Sequence, residues 1–308
     1  MNPTPSSPSS AAPRILEPAR CIWPAGTTLG EGTLWSVREQ ALYWVDIHER
    51  RLFRLDPASG ARSNWLFDEE ISALAERENA PGLVVSLRRG LALFDPADGA
   101  PPRYLHRPGQ EAPGNRFNDG KCDPQGRFWG GSMDIACEQP TGALYRFDPA
   151  GGYSREVEGV TVSNGPTWSP DGRTMHFNDT AKGLSWVYDF DAVEGRPSNR
   201  RLWARFGHDQ GYPDGMTTDA AGRIWIAHWG GACVSCHDPE TAAELCRIPL
   251  PTRHITNCAF GGADLRTLFI TSARSGLSAS QLEAEPLAGG LFAARIDGPG
   301  MPAALFGG

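Results

Sequence analysis

A short apolar strand that leads, across a turn, into a second one ending in Asp or Asp-Pro recurs six times along the chain. No other feature restricts the fold as much. Residues 42–46 (Leu-Tyr-Trp-Val-Asp) lead to 52–57 (Leu-Phe-Arg-Leu-Asp-Pro), 83–87 to 90–96, 127–129 to 143–149, 175–178 to 185–191, 224–226 to 233–239, and 268–271 to 291–297. The first apolar residue of each pair stands at 42, 83, 128, 175, 224 and 268, with spacings of 41, 45, 47, 49 and 44 residues. That period suits a four-stranded propeller blade. Turns such as Asp123-Pro-Gln-Gly126, Ser169-Pro-Asp-Gly172 and Asp219-Ala-Ala-Gly222 stand between the strands, with Gly at the last turn position. A further outer strand follows each Asp-Pro, for example at 200–203 and 244–248, and no segment sustains a helical period over twelve residues. The 36 Gly, 26 Pro and 10 Trp fit many short strands joined by turns. The expectation is an all-β fold, a six-bladed β-propeller with four-stranded blades around a central channel. The apolar piece at 15–23 precedes the first repeat without a partner, so it is expected to supply the outer strand of the last blade and hide an edge. The segment 302–306 competes for that role.

A formal net charge of -7 argues against nucleic acid or an anionic membrane as the main partner. Apolar runs fall far below the about 18 residues of a spanning helix. Residues 1–14, rich in Pro, Ser and Ala, lack the charged start and apolar middle of a signal peptide. They are read as a disordered tail ahead of a propeller over 15–308. Without a secretory signal, the seven cysteines are expected to be reduced thiols of a soluble cytoplasmic protein.

In a propeller the first strand of every blade lines the channel. The repeat alignment puts Glu31, Asn118 with Asp119, Asn164, Asp214 and Asn257 at or near the starts of these inner strands, and the second repeat offers only Ser72. Four of these polar residues precede a glycine: Glu31-Gly32, Asp119-Gly120, Asn164-Gly165 and Asp214-Gly215. Carboxylates and amides facing one channel would repel or stay unsatisfied unless something joins them, and a divalent cation with oxygen ligands does so economically. The plainer alternative is that these are turn-forming pairs at blade edges, although Glu-Gly is a poor turn former.

Leu29-Gly-Glu-Gly-Thr-Leu-Trp35, Asn115-Arg-Phe-Asn-Asp-Gly-Lys121, Val162-Ser-Asn-Gly-Pro166 and Tyr212-Pro-Asp-Gly215, with the turns Trp229-Gly-Gly231 and Phe260-Gly-Gly262, form a combined pattern. In it the chain resembles the family of senescence-marker-protein-30, gluconolactonase and luciferin-regenerating-enzyme-like proteins. The resemblance runs from about residue 29 to 292 and implies a six-bladed propeller. It implies one divalent metal ion (Ca²⁺, Mg²⁺, Mn²⁺, Zn²⁺ or Fe²⁺) held by Glu31, Asn164 and Asp214. Arg116 and Asn118 become substrate-binding residues, Asp119 a further polar position near the metal, and Asn257 a position that varies with substrate. Residues 271–277 and 286–292 look like the bacterial sugar-acid lactonases, so the implied partner is a small sugar lactone. Some relatives carry a substrate-contacting Glu after the equivalent of Ser132-Met133, where this chain has Asp134-Ile-Ala-Cys-Glu138.

The chemistry expected from these residues is hydrolysis of an aldonolactone to its sugar acid. The metal polarises the ester carbonyl, and Asp214 acts as general base toward the attacking water. Arg116 anchors hydroxyls or the developing carboxylate, and Asn118 orients the ring. A broader aryl-esterase or organophosphate hydrolase, and a non-catalytic calcium-binding propeller, are the competing readings. Cys233-Val-Ser-Cys-His237 matches a haem-attachment motif but falls within an expected strand. His228 reads as a satisfied histidine inside a blade, and His48-Glu49 fails the His-Glu-x-x-His pattern because position 52 is Leu.

Overall fold

The structure, a computed structural model, describes residues 12–308. Residues 1–11 of the expected tail lie outside the described residues, and Arg14–Ile15 already forms a short strand. Six sheets follow one another around a ring, built from consecutive antiparallel strands except where the N-terminal segment joins the last two. Blade 1 comprises Gly30–Ser36, Ala41–Asp46, Arg51–Leu55 and Arg62–Leu66. Blade 2 comprises Ile71–Glu76, Leu83–Leu87, Gly90–Phe94 and Arg103–His106. Blade 3 runs Asn115–Cys122, Phe128–Asp134, Gly142–Phe147 and Tyr153–Val160. Blade 4 runs Ser163–Trp168, Thr174–Asp179, Leu184–Asp191 and Arg196–Arg205. Blade 5 runs Tyr212–Thr218, Ile224–Trp229, Cys233–His237 and Glu244–Pro249. Blade 6 has Ile255–Gly261, Thr267–Ser272 and Leu291–Arg295, and its outer strand is Arg20–Trp23.

The protein is therefore a six-bladed β-propeller. The N-terminal segment closes the ring, through Arg20, Cys21 and Trp23 paired with Ala293, Phe292 and Leu291. It splits on the way, because Arg14 and Ile15 pair in parallel with Cys246 and Arg247 and shield the edge of blade 5. The C-terminal segment does a different job. Phe306 bridges Arg77, Gly307 donates to the Gly126 carbonyl, and Met301, Pro302, Ala303 and Ala304 line a small cavity with the far ends of all six inner strands. The tail thus covers the end of the channel where those strands finish.

Second strands are buried throughout because each is covered on both faces by neighbouring blades, which favours β-branched and aromatic residues. Trp44, Trp129 and Trp225 are each at most 1% exposed, as expected of space-filling aromatics between sheets. Two of them are pinned by a carboxylate. Asp123 accepts from the Arg127 backbone and Nε and from Trp129 Nε1, and Asp219 repeats this with Arg223 and Trp225. The Asp-x-x-Gly-Arg-x-Trp spelling of both segments encodes a turn and its clamp together.

Each of the six inner strands carries a register slip against its neighbour at one equivalent place: between Glu31 and Leu34, Ile71 and Ala73, Phe117 and Gly120, Asn164 and Thr167, Pro213 and Met216, and Ile255 and Asn257. A bulge re-aims a side chain away from the ladder. All the expected site residues except Arg116 fall at or inside these bulges, which is the physical content of the polar-residue-then-glycine pattern. The glycine is there for proximity as well as for turning. A Cβ on Gly215 would lie 2.4 Å from Asn257 Nδ2 and 2.9 Å from the Thr256 carbonyl. Gly32 adopts φ 58° and a Cβ there would meet the Ser72 carbonyl at 2.9 Å. Adjacent inner strands approach so closely at the bulge that a side chain on those two glycines has no room.

Candidate active site

At the end of the channel where the inner strands begin lies a cavity of about 520 Å³. Its lining includes Glu31, Arg116, Asn118, Asn164 and Asp214, five of the seven residues singled out from sequence. These come from the first strands of blades 1, 3, 4 and 5, which lie dozens of residues apart along the chain; closing the ring brings them to one place. Asp119 and Asn257 are not part of the lining. Both are buried, and they act on the lining from behind. Asn257 Nδ2 donates to Glu31 Oε2 at 3.1 Å while its Oδ1 accepts from Thr33 at 2.6 Å. Asp119 accepts from the backbone N–H groups of Gly120 and Gly165 at 2.8 and 3.1 Å.

Three buried carboxylates in one channel mouth do not share their charge comfortably. Burial, then the Asp119 charge, pushes Glu31 up to about 8. Burial also lifts Asp119 to about 6, against the pull of the nearby Lys121 cation. Asp214 is held well above the usual carboxylate range by burial and by the charges of Glu31 and Asp119. Its Oδ1 has no hydrogen-bond partner among the described residues. The buried Arg116 guanidinium is pulled down by desolvation, opposed by the charge of Glu31. Among the described residues only its Nη1 is engaged, donating to the Phe117 carbonyl and to Asn118 Oδ1.

Sequence reasoning passed over part of the lining. His48, Ile135, Cys137 and Thr180 all face the cavity, as do Tyr212 and Trp229. The first four sit just after second strands that end in Asp46, Asp134 and Asp179. A second strand runs antiparallel to its inner strand, so its far end returns to the mouth where the inner strand starts. The segment after that aspartate was the available signal. Asp134 itself caps its own loop, accepting from the backbone of Ala136, Glu138 and Gln139, and leaves the wall to Ile135 and Cys137. His228 is a satisfied core histidine: Nε2 meets Ser235 Oγ at 2.5 Å, and that hydroxyl meets His237 Nε2 at 2.7 Å. The Cys233–His237 segment is an ordinary third strand, and its cysteines are free and buried.

A family description, the SMP-30/Gluconolactonase/LRE-like region, matches residues 29–274, most of the chain and all of the lining residues but Ser275. The chain belongs to this family. Among family relatives, a 6-deoxy-6-sulfogluconolactonase of Pseudomonas putida is 40% identical, over 95% of this chain and 99% of its own. A regucalcin of Xenopus laevis is 32% identical, over 91% of this chain and 94% of its own. The crystal structure of a calcium-binding regucalcin from Agrobacterium tumefaciens superposes with a TM-score of 0.90 at 29% identity, covering 95% of this chain and 99% of that one.

Among the described residues no three His, Cys, Asp or Glu side chains converge as a metal site by themselves. Any ion here needs the amide oxygen of Asn164 beside the carboxylates of Glu31 and Asp214, an all-oxygen set suited to a hard cation. The unpartnered Asp214 Oδ1 and the mutual repulsion of the carboxylates fit a cation at this point.

Proposed function

We propose that the protein hydrolyses a sugar lactone to its sugar acid at this cavity, with a divalent cation held by Glu31, Asn164 and Asp214. The observation that carries the reading is the buried Asp214 carboxylate on the cavity wall, with one oxygen lacking a partner among the described residues. Relatives named for lactone hydrolysis and for calcium binding supply the substrate and metal classes. A cation bound there supplies positive charge that polarises the lactone carbonyl and offsets the clustered carboxylates.

The chain's own residues account for the remaining work. Asp214, kept ionised by the cation beside it, takes the proton of the attacking water. Arg116 keeps Nε and Nη2 without protein acceptors among the described residues, free for substrate hydroxyls or the carboxylate that forms on ring opening. Asn118 is locked by Arg116 and orients polar groups of the sugar. Leu29, Met133, Val162 and Trp229 supply apolar walls, and the cavity volume lies within the about 300–1,000 Å³ usual for small-molecule sites. The test is pH-stat hydrolysis of aldonolactones, with and without an anionic group at C6, by metal-stripped protein restored with single cations. An aryl ester belongs in the same panel. Metal-restored acid release that Asp214→Asn abolishes supports the reading. Calcium binding without hydrolysis of any ester favours a binding protein instead, as the regucalcin relatives allow.

A further inference from the structure

One wall of the cavity is a hydrogen-bond chain whose direction is forced from both ends. Arg116 Nη1 donates to Asn118 Oδ1 at 2.6 Å, and Asn118 Nδ2 donates to Asn164 Oδ1 at 3.0 Å. Asn164 Nδ2 donates to Thr180 Oγ1 at 2.8 Å, and that hydroxyl donates to the Pro213 carbonyl at 2.7 Å. A guanidinium can only donate and a backbone carbonyl can only accept. Every link between them therefore has one orientation, and flipping either amide would set like groups face to face. The chain crosses blades 3, 4 and 5 and ends on the residue that precedes Asp214.

Thr180 is the link that the sequence motifs leave out. It opens the short 3-10 turn Thr180–Lys182 after the second strand of blade 4, and it lines the cavity. Its hydroxyl is the acceptor of the Asn164 amide N–H and connects it to the backbone of blade 5. Without that hydroxyl, Asn164 Nδ2 loses this acceptor and the tie to the Pro213 carbonyl is cut, so the Asn164 amide is no longer held from that side. We infer that Thr180 is a positioning residue: it fixes the Asn164 carboxamide with Oδ1 on the side of Asn118 and the cation site, and ties that amide to the strand carrying Asp214. The inference rests on the cation site of the reading above, not on its substrate.

The experiment compares wild type, Thr180→Val and Thr180→Ser by Mn²⁺ titration of metal-stripped protein, followed by calorimetry and by the spin resonance of free Mn²⁺, alongside thermal unfolding and lactone hydrolysis. Removing a group that orients a metal ligand typically costs about 10–100-fold in metal affinity or activity. Thr180→Val is expected to weaken Mn²⁺ binding by at least about tenfold, while Thr180→Ser stays within about threefold of wild type and all three unfold within a few degrees. Val binding Mn²⁺ as tightly as wild type overturns the assignment. Equal losses in Val and Ser also overturn it, because the effect then lies in the methyl group or backbone. Wild-type protein that binds no Mn²⁺ overturns both this inference and the metal site. Wild type that binds Mn²⁺ but opens no lactone overturns the lactonase reading alone, since the Mn²⁺ comparison still decides the role of Thr180.

Discussion

Gly215→Ala probes the link between strand packing and the charge of the site. The added Cβ would stand 2.4 Å from Asn257 Nδ2, 2.7 Å from its Cγ and 2.9 Å from the Thr256 carbonyl. Ordinary contact needs about 3.4–4 Å between carbon atoms, so the Asn257 amide must retreat by about 1 Å. Overpacking of this kind costs about 1–3 kcal/mol. The retreat also breaks the 3.1 Å hydrogen bond from Asn257 to Glu31, worth about 1.5–3 kcal/mol when the acceptor is charged and about 1 kcal/mol when it is not. Glu31 ionises near pH 8 in the metal-free protein, so the two regimes can be separated. At pH 9 the loss should be about 3–4 kcal/mol, and at pH 6 about 1 kcal/mol less. At about 2 °C per kcal/mol for a domain of this size, metal-free Gly215→Ala should melt about 6–8 °C below wild type at pH 9, with a smaller gap at pH 6. Differential scanning calorimetry at both pH values measures this. Equal losses at the two would refute the coupling of Asn257 to Glu31, and no loss at either would refute the packing argument.

The pH dependence of wild type provides a second check. Folded metal-free protein keeps the Glu31 proton up to about pH 8 while the unfolded chain releases it near 4.5, so stability falls as pH rises through that window and levels off above it. Asp119 adds the same sign between 3.8 and about 6, and chemical denaturation of Glu31→Gln should show a shallower slope. Because ligand carboxylates must be ionised, Mn²⁺ binding at pH 6.5 should release protons, and the release should shrink as pH rises past the Glu31 value of about 8, read by calorimetry in buffers of different ionisation enthalpy. Asp214→Asn should lower kcat by about 10²–10⁴ while the metal-free protein unfolds no earlier than wild type, since it removes a buried, repelled carboxylate. Asp219→Ala leaves the buried Trp225 Nε1 and the partly exposed Arg223 without their shared acceptor, and should cost about 1–3 kcal/mol by denaturant unfolding with little change in KM.

Much of this molecule was written locally. The alternation of the strands, the Asp-x-x-Gly turns with their clamped tryptophans, and the period of 41 to 49 residues each depend on near neighbours, so the six blades could be read from the chain alone. The residue types of the site were legible for a related reason. A polar residue followed by glycine, at one position in several repeats, marks the bulged start of an inner strand whichever blade it belongs to.

Other features exist only once the ring has closed. Residues 15–23 and 302–306 compete equally as sequence, and three-dimensional geometry sends Arg20–Trp23 to the last blade and residues 301–304 across the far mouth. The division between Glu31, Asn164 and Asp214 on the cavity surface and Asp119 and Asn257 behind it depends on how far each bulge turns its side chain. The same holds for the Asn164 amide, whose Nδ2 meets Thr180 from outside every motif. Burial and mutual repulsion raise the carboxylates, and both arise from residues far apart in sequence brought within reach of one another. Local physics chose the strands and the kinds of group at the channel. Long-range packing decided which groups face the cavity, which hold them there, and how strongly they keep their protons.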